Sequence, residues 1–382
     1  METITLLKGK EVSLLRRHQW VFSGAIGKTS AKPTIGTVVR VEAANGTFLG
    51  VGHYHDGSIA VRILSFEDQP IDAAFWNQRL AAALLLRNAT GLPSAQTNCF
   101  RLVHGEGDGL PGLIIDIYGK AAVVQAHTAA MALAADAIGS GLQQLKGLAV
   151  DTIYLRDIAG KSARFLLGTA AEDVVLENGL KFKVNWVEGQ KTGFFLDQRD
   201  NRLLLAEVAK SRTVLNTFCY TGGFSAYALK AGATKVVSVD VSAKAVALAE
   251  ENVGLNIKSP KNHEAVCTDA FKYLEHAEGF DLIILDPPAF AKGMKARHQA
   301  VQGYKRLNEI AFKRIASNGI LFTFSCSQVV SPELFEKTVF SAAINAGREV
   351  RILKRLGHQA DHPVSIYHPE GEYLKGLMLY VS

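Results

Sequence analysis

The second half of the chain alternates short apolar runs with stretches of helix-forming residues. The apolar runs span residues 214–216, 235–240, 263–269, 280–286 and 319–325. Strands separated by helical segments are typical of a parallel, doubly wound sheet. We therefore predict an α/β domain in this half of the chain.

The first half has two other patterns. Residues up to about 70 contain β-branched runs separated by glycines, and Asn45-Gly46 is a strong hairpin signal. From Ile71 a stretch of helix formers with helical spacing of its apolar residues follows, and further strand-like runs come after it. These changes predict three domains, which are a small β-rich domain over 1–72, a central α+β domain over 73–182 and the α/β domain over 183–382.

One motif in the first half resembles a nucleotide-binding signature. Residues 107–112 read GDGLPG and match the pattern GxGxxG. That pattern binds a pyrophosphate only when a strand precedes it and a helix begins within it. Here the strand-like run LIIDIY follows, so we interpret the segment as a hairpin loop.

Two apolar runs of the α/β half end in motifs that indicate a chemistry. The run FDLIIL is followed by DPPAF, which begins with Asp286, and GILFTF is followed by SCS, which contains Cys326. Ligands of open α/β sheets bind at the carboxyl ends of the strands, so both side chains are expected in one crevice. A carboxyl group on a base edge and a thiol that attacks the base indicate covalent catalysis on a pyrimidine, with Asp286 and Cys326 as catalytic residues.

The three earlier strands of this half end in Asn216, Asp240 and Asp269, and the turn after the first carries Gly222 and Gly223. This turn contains neither GxGxxG nor a Walker lysine, which dinucleotides and triphosphates require. A cofactor without phosphate needs only close backbone approach, and an acid ~20 residues after the glycine turn binds ribose hydroxyls in such folds. The pattern predicts S-adenosylmethionine (SAM), with Asp240 at the ribose and Asp269 near the adenine. The structural alternative for Asp240 is a helix N-cap.

Longer motifs connect these sites to a known family. The chain contains LLKGKEVSLLRRHQWVFSGAI, RLVHGEGDGLPGLIIDIYG, GQKTGFFLDQRDNR, NTFCYTGGFS, DPPAF, SCS and HPEGEYLKG. Over essentially its whole length it resembles the PUA-domain-containing class I RNA methyltransferases of the RlmI type, which make 5-methylcytosine in large-subunit ribosomal RNA. The resemblance implies a Rossmann-like class I methyltransferase domain at the C-terminus, preceded by a PUA-like domain and a central α+β domain.

The resemblance also implies the reaction, the partners and the site. The expected reaction moves a methyl group from SAM to C5 of a cytosine in 23S ribosomal RNA through an adduct of Cys326 with C6. The substrate would be naked RNA or an early assembly intermediate. No membrane is involved, and the resemblance allows a homodimer. The candidate cofactor-binding residues are Gly193, Asn216, Tyr220, Gly222, Gly223, Asp240, Asp269 and Asp286, and no metal site is predicted.

Some features keep other functions open. Many class I methyltransferases have an acid at the position of Asn216, and many RNA cytosine-5 enzymes have a second cysteine where this chain has Pro288. DPPAF also resembles the motif of enzymes that methylate exocyclic amines. The first alternative is therefore an RNA methyltransferase that acts on an exocyclic amine or on guanine, with Cys326 in a structural role. A non-catalytic RNA-binding ribosome-assembly factor is the second alternative. A nicotinamide dehydrogenase is disfavoured because the dinucleotide signature is missing.

Positive charge is concentrated in two segments. Residues 1–40 contain seven Lys/Arg and two acidic residues, and residues 290–315 contain seven and one, although the whole chain has a net charge of only +6. Clustered positive charge indicates a polyanion-binding surface, and a solvated helix face is the alternative for each segment. The candidate RNA-binding residues are Lys8, Arg16, Arg17, Trp20, Lys292, Lys295 and Arg297.

Composition adds the remaining expectations. A hydrophobic content of 48% and a charged content of 20% are those of a folded protein, and no apolar run approaches the ~18 residues of a membrane span. The four cysteines have no CxxC spacing, which argues against a zinc site or a disulfide framework. We expect a reduced, soluble, cytoplasmic protein in which Cys99, Cys219 and Cys267 are inert buried side chains.

Overall fold

The computed structural model of the chain describes residues 1–258, 260–291 and 293–382. The chain divides into two compact units, of which the first contains residues 1–175, 184–196 and 360–371 and the second contains 176–183, 197–359 and 372–382. Among the described residues, no helix combines the length and apolarity that crossing a membrane requires. The boundaries of the three domains stay a prediction.

The first unit contains two β-sheets. The strands and helix of its N-terminal part are β1 (Glu2–Leu6), α1 (Val12–Leu15), β2 (Trp20–Phe22), β3 (Ile26–Thr29), β4 (Val38–Glu42), β5 (Phe48–Tyr54) and β6 (Ile59–Ser65). These strands form a six-stranded sheet in the order β2-β6-β5-β4-β1-β3. Alternating residues of β4 point to opposite faces, and Val39 and Val41 are buried in the core of this sheet.

The elements that follow are α2 (Ala73–Ala89), β7 (Cys99–His104), β8 (Leu113–Tyr118), β9 (Ala121–Ala126), α3 (Ala129–Leu133), α4 (Ala135–Gln144), β10 (Thr152–Asp157) and β11 (Ser162–Leu167). Their strands form a five-stranded sheet in the order β11-β10-β9-β8-β7. The segment that matches GxGxxG joins β7 to β8, which pair as an antiparallel hairpin. The interpretation of this segment as a hairpin loop is therefore confirmed.

A two-stranded ribbon of β12 (Glu172–Glu177) and β13 (Leu180–Asn185) lies between the five-stranded sheet and the next sheet along the sequence. The elements of the second unit are α5 (Arg199–Ala209), β14 (Thr213–Thr217), α6 (Gly223–Lys230), β15 (Lys235–Asp240), α7 (Ala243–Asn256), β16 (His263–Cys267), α8 (Ala270–Glu275), β17 (Leu282–Leu285), α9 (Arg297–Arg314), β18 (Gly319–Ser325), α10 (Pro332–Ala346), β19 (Val350–Leu356) and β20 (Lys375–Val381).

The sheet of the second unit has seven strands in the order β16-β15-β14-β17-β18-β20-β19. Strands β14 to β18 are parallel, and β20 runs antiparallel to both of its neighbours. The strand order reverses between β14 and β17, which is the position where open α/β sheets bind their ligands. The predicted doubly wound α/β domain is confirmed, and the carboxyl ends of five parallel strands meet at one edge.

Helices α8, α9 and α10 pack their apolar faces on this sheet. Tyr304, Phe312 and Phe335 from these helices lie in one buried cluster with Ile283 and Leu321 of the strands. Such close packing leaves little freedom for the strand ends that rest on it. The side chains at the carboxyl edge are thereby held by a rigid support.

Candidate active site

The loop after β14 has an unusual backbone. Phe218 and Tyr220 adopt positive φ values of 55° and 44°, and Gly222 has φ of 74°. A Cβ atom at Gly222 would lie 2.8 Å from the Cβ of Ala249, so glycine is needed there for both conformation and space. Strained non-glycine residues concentrate at ligand-binding loops, because surrounding contacts must hold them in place.

Asp240 is one of the groups that hold this loop. Its carboxylate accepts the backbone N–H of Tyr220 at 3.0 Å and that of Ser242 at 2.9 Å. The cap of α7 is Ser242, whose hydroxyl accepts the N–H of Ala245. The alternative of Asp240 as a helix N-cap is therefore wrong. Asp240 is only half-buried, so its carboxylate has further lone pairs for hydroxyl groups of a ligand.

Asn216 begins a buried polar chain beneath the strand ends. Its amide nitrogen donates to the Ser225 hydroxyl at 2.9 Å, which lies 2.6 Å from the Ser238 hydroxyl. Ser238 in turn lies 2.8 Å from Nε2 of His263. The Oδ1 atom of Asn216 is buried and has no hydrogen-bond partner among the described residues, and this unpaired acceptor fits a site that a donor from a polar cofactor completes.

Asp269 and Gly223 lie at the same edge. The Asp269 carboxylate accepts the N–H of Lys272 at 3.0 Å and caps α8, so this acid has a structural task in addition to any ligand contact. Gly223 is the first residue of α6, and a Cβ atom there would lie 3.0 Å from Cδ of Arg202. The geometry at the ends of β14, β15 and β16 therefore fits the cofactor that the sequence predicts.

Asp286 and Cys326 follow two adjacent strands. Strands β17 and β18 are parallel neighbours, with Leu285 opposite Thr323, and both functional residues are half-buried. The Ser327 hydroxyl donates to the carbonyl of Ala291 at 2.7 Å. This bond ties the loop that carries Asp286 to the turn that carries Cys326, so the structure brings the two predicted catalytic segments together.

Two further side chains act on this pair electrostatically. Burial raises the pKa of Tyr304 to about 12, and charge on Cys326 and on Asp286 acts in the same direction. Burial lowers the pKa of Lys375 to about 8, and charge on Cys326 and on Glu372 opposes that shift. The thiol thus has a buried phenol, a carboxyl group and a buried amine in its surroundings.

The other three cysteines differ from Cys326. Cys99 and Cys219 are buried, and burial raises the pKa of the Cys219 thiol. Cys267, which the sequence predicts to be buried, is exposed because β16 is the edge strand of its sheet. It lies at the end of the strand rather than on the crevice between β17 and β18.

Gly193 belongs to the first unit. Its φ is 112°, and a Cβ atom would lie 2.7 Å from the carbonyl oxygen of Asn185, so local packing already requires glycine. Its contact with a cofactor stays a prediction.

Of the candidate RNA-binding residues in the first unit, Lys8, Arg16 and Arg17 are exposed. Trp20 is half-buried, donates its indole N–H to Glu106 at 2.9 Å and packs edge-on against His368 with ring centroids 4.4 Å apart. Its ring is therefore engaged within the protein rather than fully open to a base.

In the second unit, the candidate RNA-binding residues Lys295 and Arg297 are exposed at the start of α9. Lys292, the remaining candidate, lies outside the described residues. The side chains of Lys295 and Arg297 are therefore accessible to solvent, and they lie close in sequence to the Asp286 loop.

Sequence analysis missed several residues that support this site. Thr217 donates its hydroxyl to the carbonyl of Ile284 at 2.7 Å, and Asn252 donates to the carbonyl of Thr221 at 2.9 Å. Lys375 is buried between the carbonyls of Ser327 and Tyr373. The only sequence signal for Lys375 is its place in the motif HPEGEYLKG, whereas the other two residues had none.

Comparison with known proteins agrees with this geometry. The family model of S-adenosylmethionine-dependent methyltransferases matches residues 123–363, and that of PUA-like domains matches residues 4–66. The Ribosomal RNA large subunit methyltransferase I of Tolumonas auensis is 41% identical over 99% of this chain and 98% of its own length.

Two solved structures share the fold. A SAM-dependent methyltransferase from Streptococcus mutans has a TM-score of 0.86 at 23% identity, and SMU.776, a methyltransferase complexed with SAH, has a TM-score of 0.88 at 23% identity. Each comparison covers 100% of both chains. The chain therefore belongs to the family of SAM-dependent methyltransferases that includes the ribosomal RNA large subunit methyltransferases I, with SAM as its methyl donor and a PUA-like N-terminal domain.

Proposed function

We propose that this protein methylates C5 of a cytosine in large-subunit (23S) ribosomal RNA through a covalent adduct with Cys326. The observation that carries the proposal is the pairing of the Asp286 loop with the Cys326 turn at the carboxyl ends of adjacent strands. The names of relatives such as the Tolumonas auensis protein support ribosomal RNA of the large subunit as the substrate.

The proposed chemistry follows from the low nucleophilicity of cytosine C5. The Cys326 thiolate attacks C6, a sulfur–carbon bond forms, and the electron pair of the C5–C6 double bond moves to C5. The electron pair at C5 would then bond to the electrophilic methyl group that bound SAM supplies on its sulfonium, and the methyl–sulfur bond would break to leave a neutral thioether. Loss of the C5 proton then restores the double bond and expels the thiolate. Asp286 would share a proton with N3 and accept a hydrogen bond from the N4 amine, which stabilises the negative charge that develops on the ring.

The residues at the ends of β14 to β17 would hold the cofactor. Asp240 would accept the ribose hydroxyls, Asp269 would lie near the adenine amine, and the unpaired Oδ1 of Asn216 would accept a donor. The backbone of the loop from Tyr220 to Gly223 would approach the cofactor closely. Gly193 and Asp286 complete the proposed set.

Methylation of an exocyclic amine or of guanine is the main rival. In this reading the aromatic residue of DPPAF would lie against the target base, and Cys326 would be structural. Phe290 instead packs against Tyr304 with ring centroids 4.6 Å apart and contacts the buried cluster under the sheet. This packing favours the covalent cytosine reaction over the rival.

Identification of the methylated nucleoside tests the proposed function. Wild-type protein would be incubated with isotopically labelled SAM and unmodified large-subunit ribosomal RNA, and the digested RNA would be analysed by mass spectrometry. We expect the label in 5-methylcytidine, with small-subunit RNA as the control substrate that stays unlabelled. Label in another nucleoside would favour the amine reaction, and RNA binding without any transfer would favour an assembly factor.

We further propose that the two basic segments bind the RNA backbone. Charge reversal at exposed Lys295 and Arg297 should weaken RNA binding and reduce its dependence on salt, since each lost phosphate contact lowers the slope of log affinity against log salt by ~0.7–0.9. Filter binding or fluorescence anisotropy at several salt concentrations measures this slope. The matched control reverses the charge of Lys210 and Lys230, two exposed residues that lie at the ends of other helices. Equal slopes in both double variants would remove the start of α9 from the interface.

A further inference from the structure

We infer that Lys375 is a positioning residue that places a positive charge beside the Cys326 thiolate. This inference extends the proposed function, because it explains how a half-buried cysteine is activated for attack. It concerns a residue of the return strand β20, 49 positions after the cysteine in the chain.

The register of β18 and β20 brings the two residues together. Lys375 lies directly opposite Ser325, the last residue of β18, and Cys326 follows Ser325. The Lys375 ammonium then donates to the carbonyl of Ser327 at 2.6 Å. Lys375 therefore contacts the chain on both sides of the cysteine, through its backbone at Ser325 and through its ammonium at Ser327. Cys326 lies between these two contacts.

The position of this ammonium is well defined. Lys375 is only 6% exposed, and its Nζ also donates to the carbonyl of Tyr373 at 2.8 Å. Tyr373 is held by its hydroxyl, which donates to Asp197 at 2.5 Å, and by its N–H, which donates to Nε2 of His358 at 3.1 Å. A lysine that served only to cover apolar surface would keep its charged end in water instead.

The charges around the Lys375 amine and the Cys326 thiol determine whether Lys375 favours the thiolate form of the cysteine. Burial favours the neutral amine and lowers the pKa of Lys375 to about 8, whereas charge on Cys326 and on Glu372 favours the ammonium form. Below that pH the amine is mostly charged. On the thiol side, Tyr304 is near both Cys326 and Asp286, and an ionised Asp286 would disfavour a thiolate. The Lys375 ammonium offsets this repulsion, because a nearby cation favours the thiolate over the thiol.

The rate of Cys326 alkylation as a function of pH tests this inference without RNA or SAM. Iodoacetamide reacts with thiolates, and peptide mass spectrometry follows Cys326 and the exposed Cys267 in the same sample. In wild-type protein we expect the midpoint of the Cys326 profile to lie below that of Cys267. In Lys375→Met the Cys326 midpoint should rise by about one pH unit, which slows alkylation at pH 7 about tenfold, and Lys375→Arg should restore most of the rate.

The control variant is Lys354→Met, which makes the same change at an exposed position of β19 and should leave both profiles unchanged. An unchanged Cys326 midpoint in folded Lys375→Met would overturn the inference. If that variant fails to fold, a wild-type Cys326 midpoint at or above that of Cys267 would also overturn it. The outcome does not depend on which nucleoside is methylated, so failure here and failure of the proposed function are distinguishable.

Discussion

Replacement of Cys326 by alanine is expected to abolish the formation of 5-methylcytidine. In the proposed reaction the Cys326 thiol forms the bond to C6, so its loss removes the step that makes C5 nucleophilic, and the rate should fall by on the order of 10⁴-fold or more. SAM binding should persist, because most of the proposed cofactor residues lie at the ends of β14, β15 and β16 or in the loops that follow them. Transfer of labelled methyl groups measures the first effect, and calorimetric titration with SAM measures the second.

Cys267→Ala is the matched control for this experiment. It removes an exposed thiol from the end of the edge strand β16 and should leave methyl transfer intact. A second readout uses RNA that contains 5-fluorocytidine, in which fluorine cannot leave as the proton does. Wild-type protein should form a denaturation-resistant adduct with this RNA, and Cys326→Ala should form none. Methyl transfer by Cys326→Ala at wild-type rate would exclude the covalent reaction and leave amine methylation.

The second large effect is expected on stability, for Glu177→Gln. The Glu177 carboxylate is fully buried and accepts two hydrogen bonds from the buried Arg202 guanidinium, at 2.8 and 2.7 Å. Loss of the carboxylate charge breaks the ion pair that Glu177 forms with the buried Arg202 guanidinium, and breaking a buried ion pair costs about 3–5 kcal/mol. Cδ of Arg202 lies close to Gly223, so the loop of the cofactor site that ends at Gly223 should also become more mobile in this variant.

The midpoint of guanidinium denaturation measures this loss. The three tryptophans, Trp20, Trp76 and Trp186, all lie in the first unit, so far-UV circular dichroism follows the second unit better than tryptophan fluorescence does.

Two comparisons distinguish the destabilisation caused by losing the buried ion pair from the general effect of removing one charge. Glu333→Gln, which breaks an exposed pair with Lys337, should leave the midpoint unchanged, because exposed ion pairs contribute little. Glu177→Leu combined with Arg202→Met should be less destabilised than Glu177→Gln, because an apolar pair leaves no buried charge. A Glu177→Gln midpoint equal to that of the wild type would contradict the assigned role of the pair.

Much of the α/β unit was predictable because its signals are local. Apolar runs, glycine turns and strand-end acids each depend on a few neighbouring residues, and the parallel topology then brings all the strand ends to one edge. The rejection of the GxGxxG match also needed only the strand that follows it. Local signals did not separate the roles of Asp240 and Ser242, since either type of residue caps helices and only the hydrogen bonds distinguish them.

The sequence by itself determined the order of the chemistry-bearing residues, from Asn216 to Cys326, and their places at the ends of successive strands. Only the tertiary structure decided which distant residues support them. Lys375 meets the Cys326 turn because β20 returns antiparallel beside β18, and Glu177 meets Arg202 across a separation of 25 residues. The first pairing depends on strand order and register and the second on how a helix packs against a strand, and hydrophobic periodicity along the chain encodes neither.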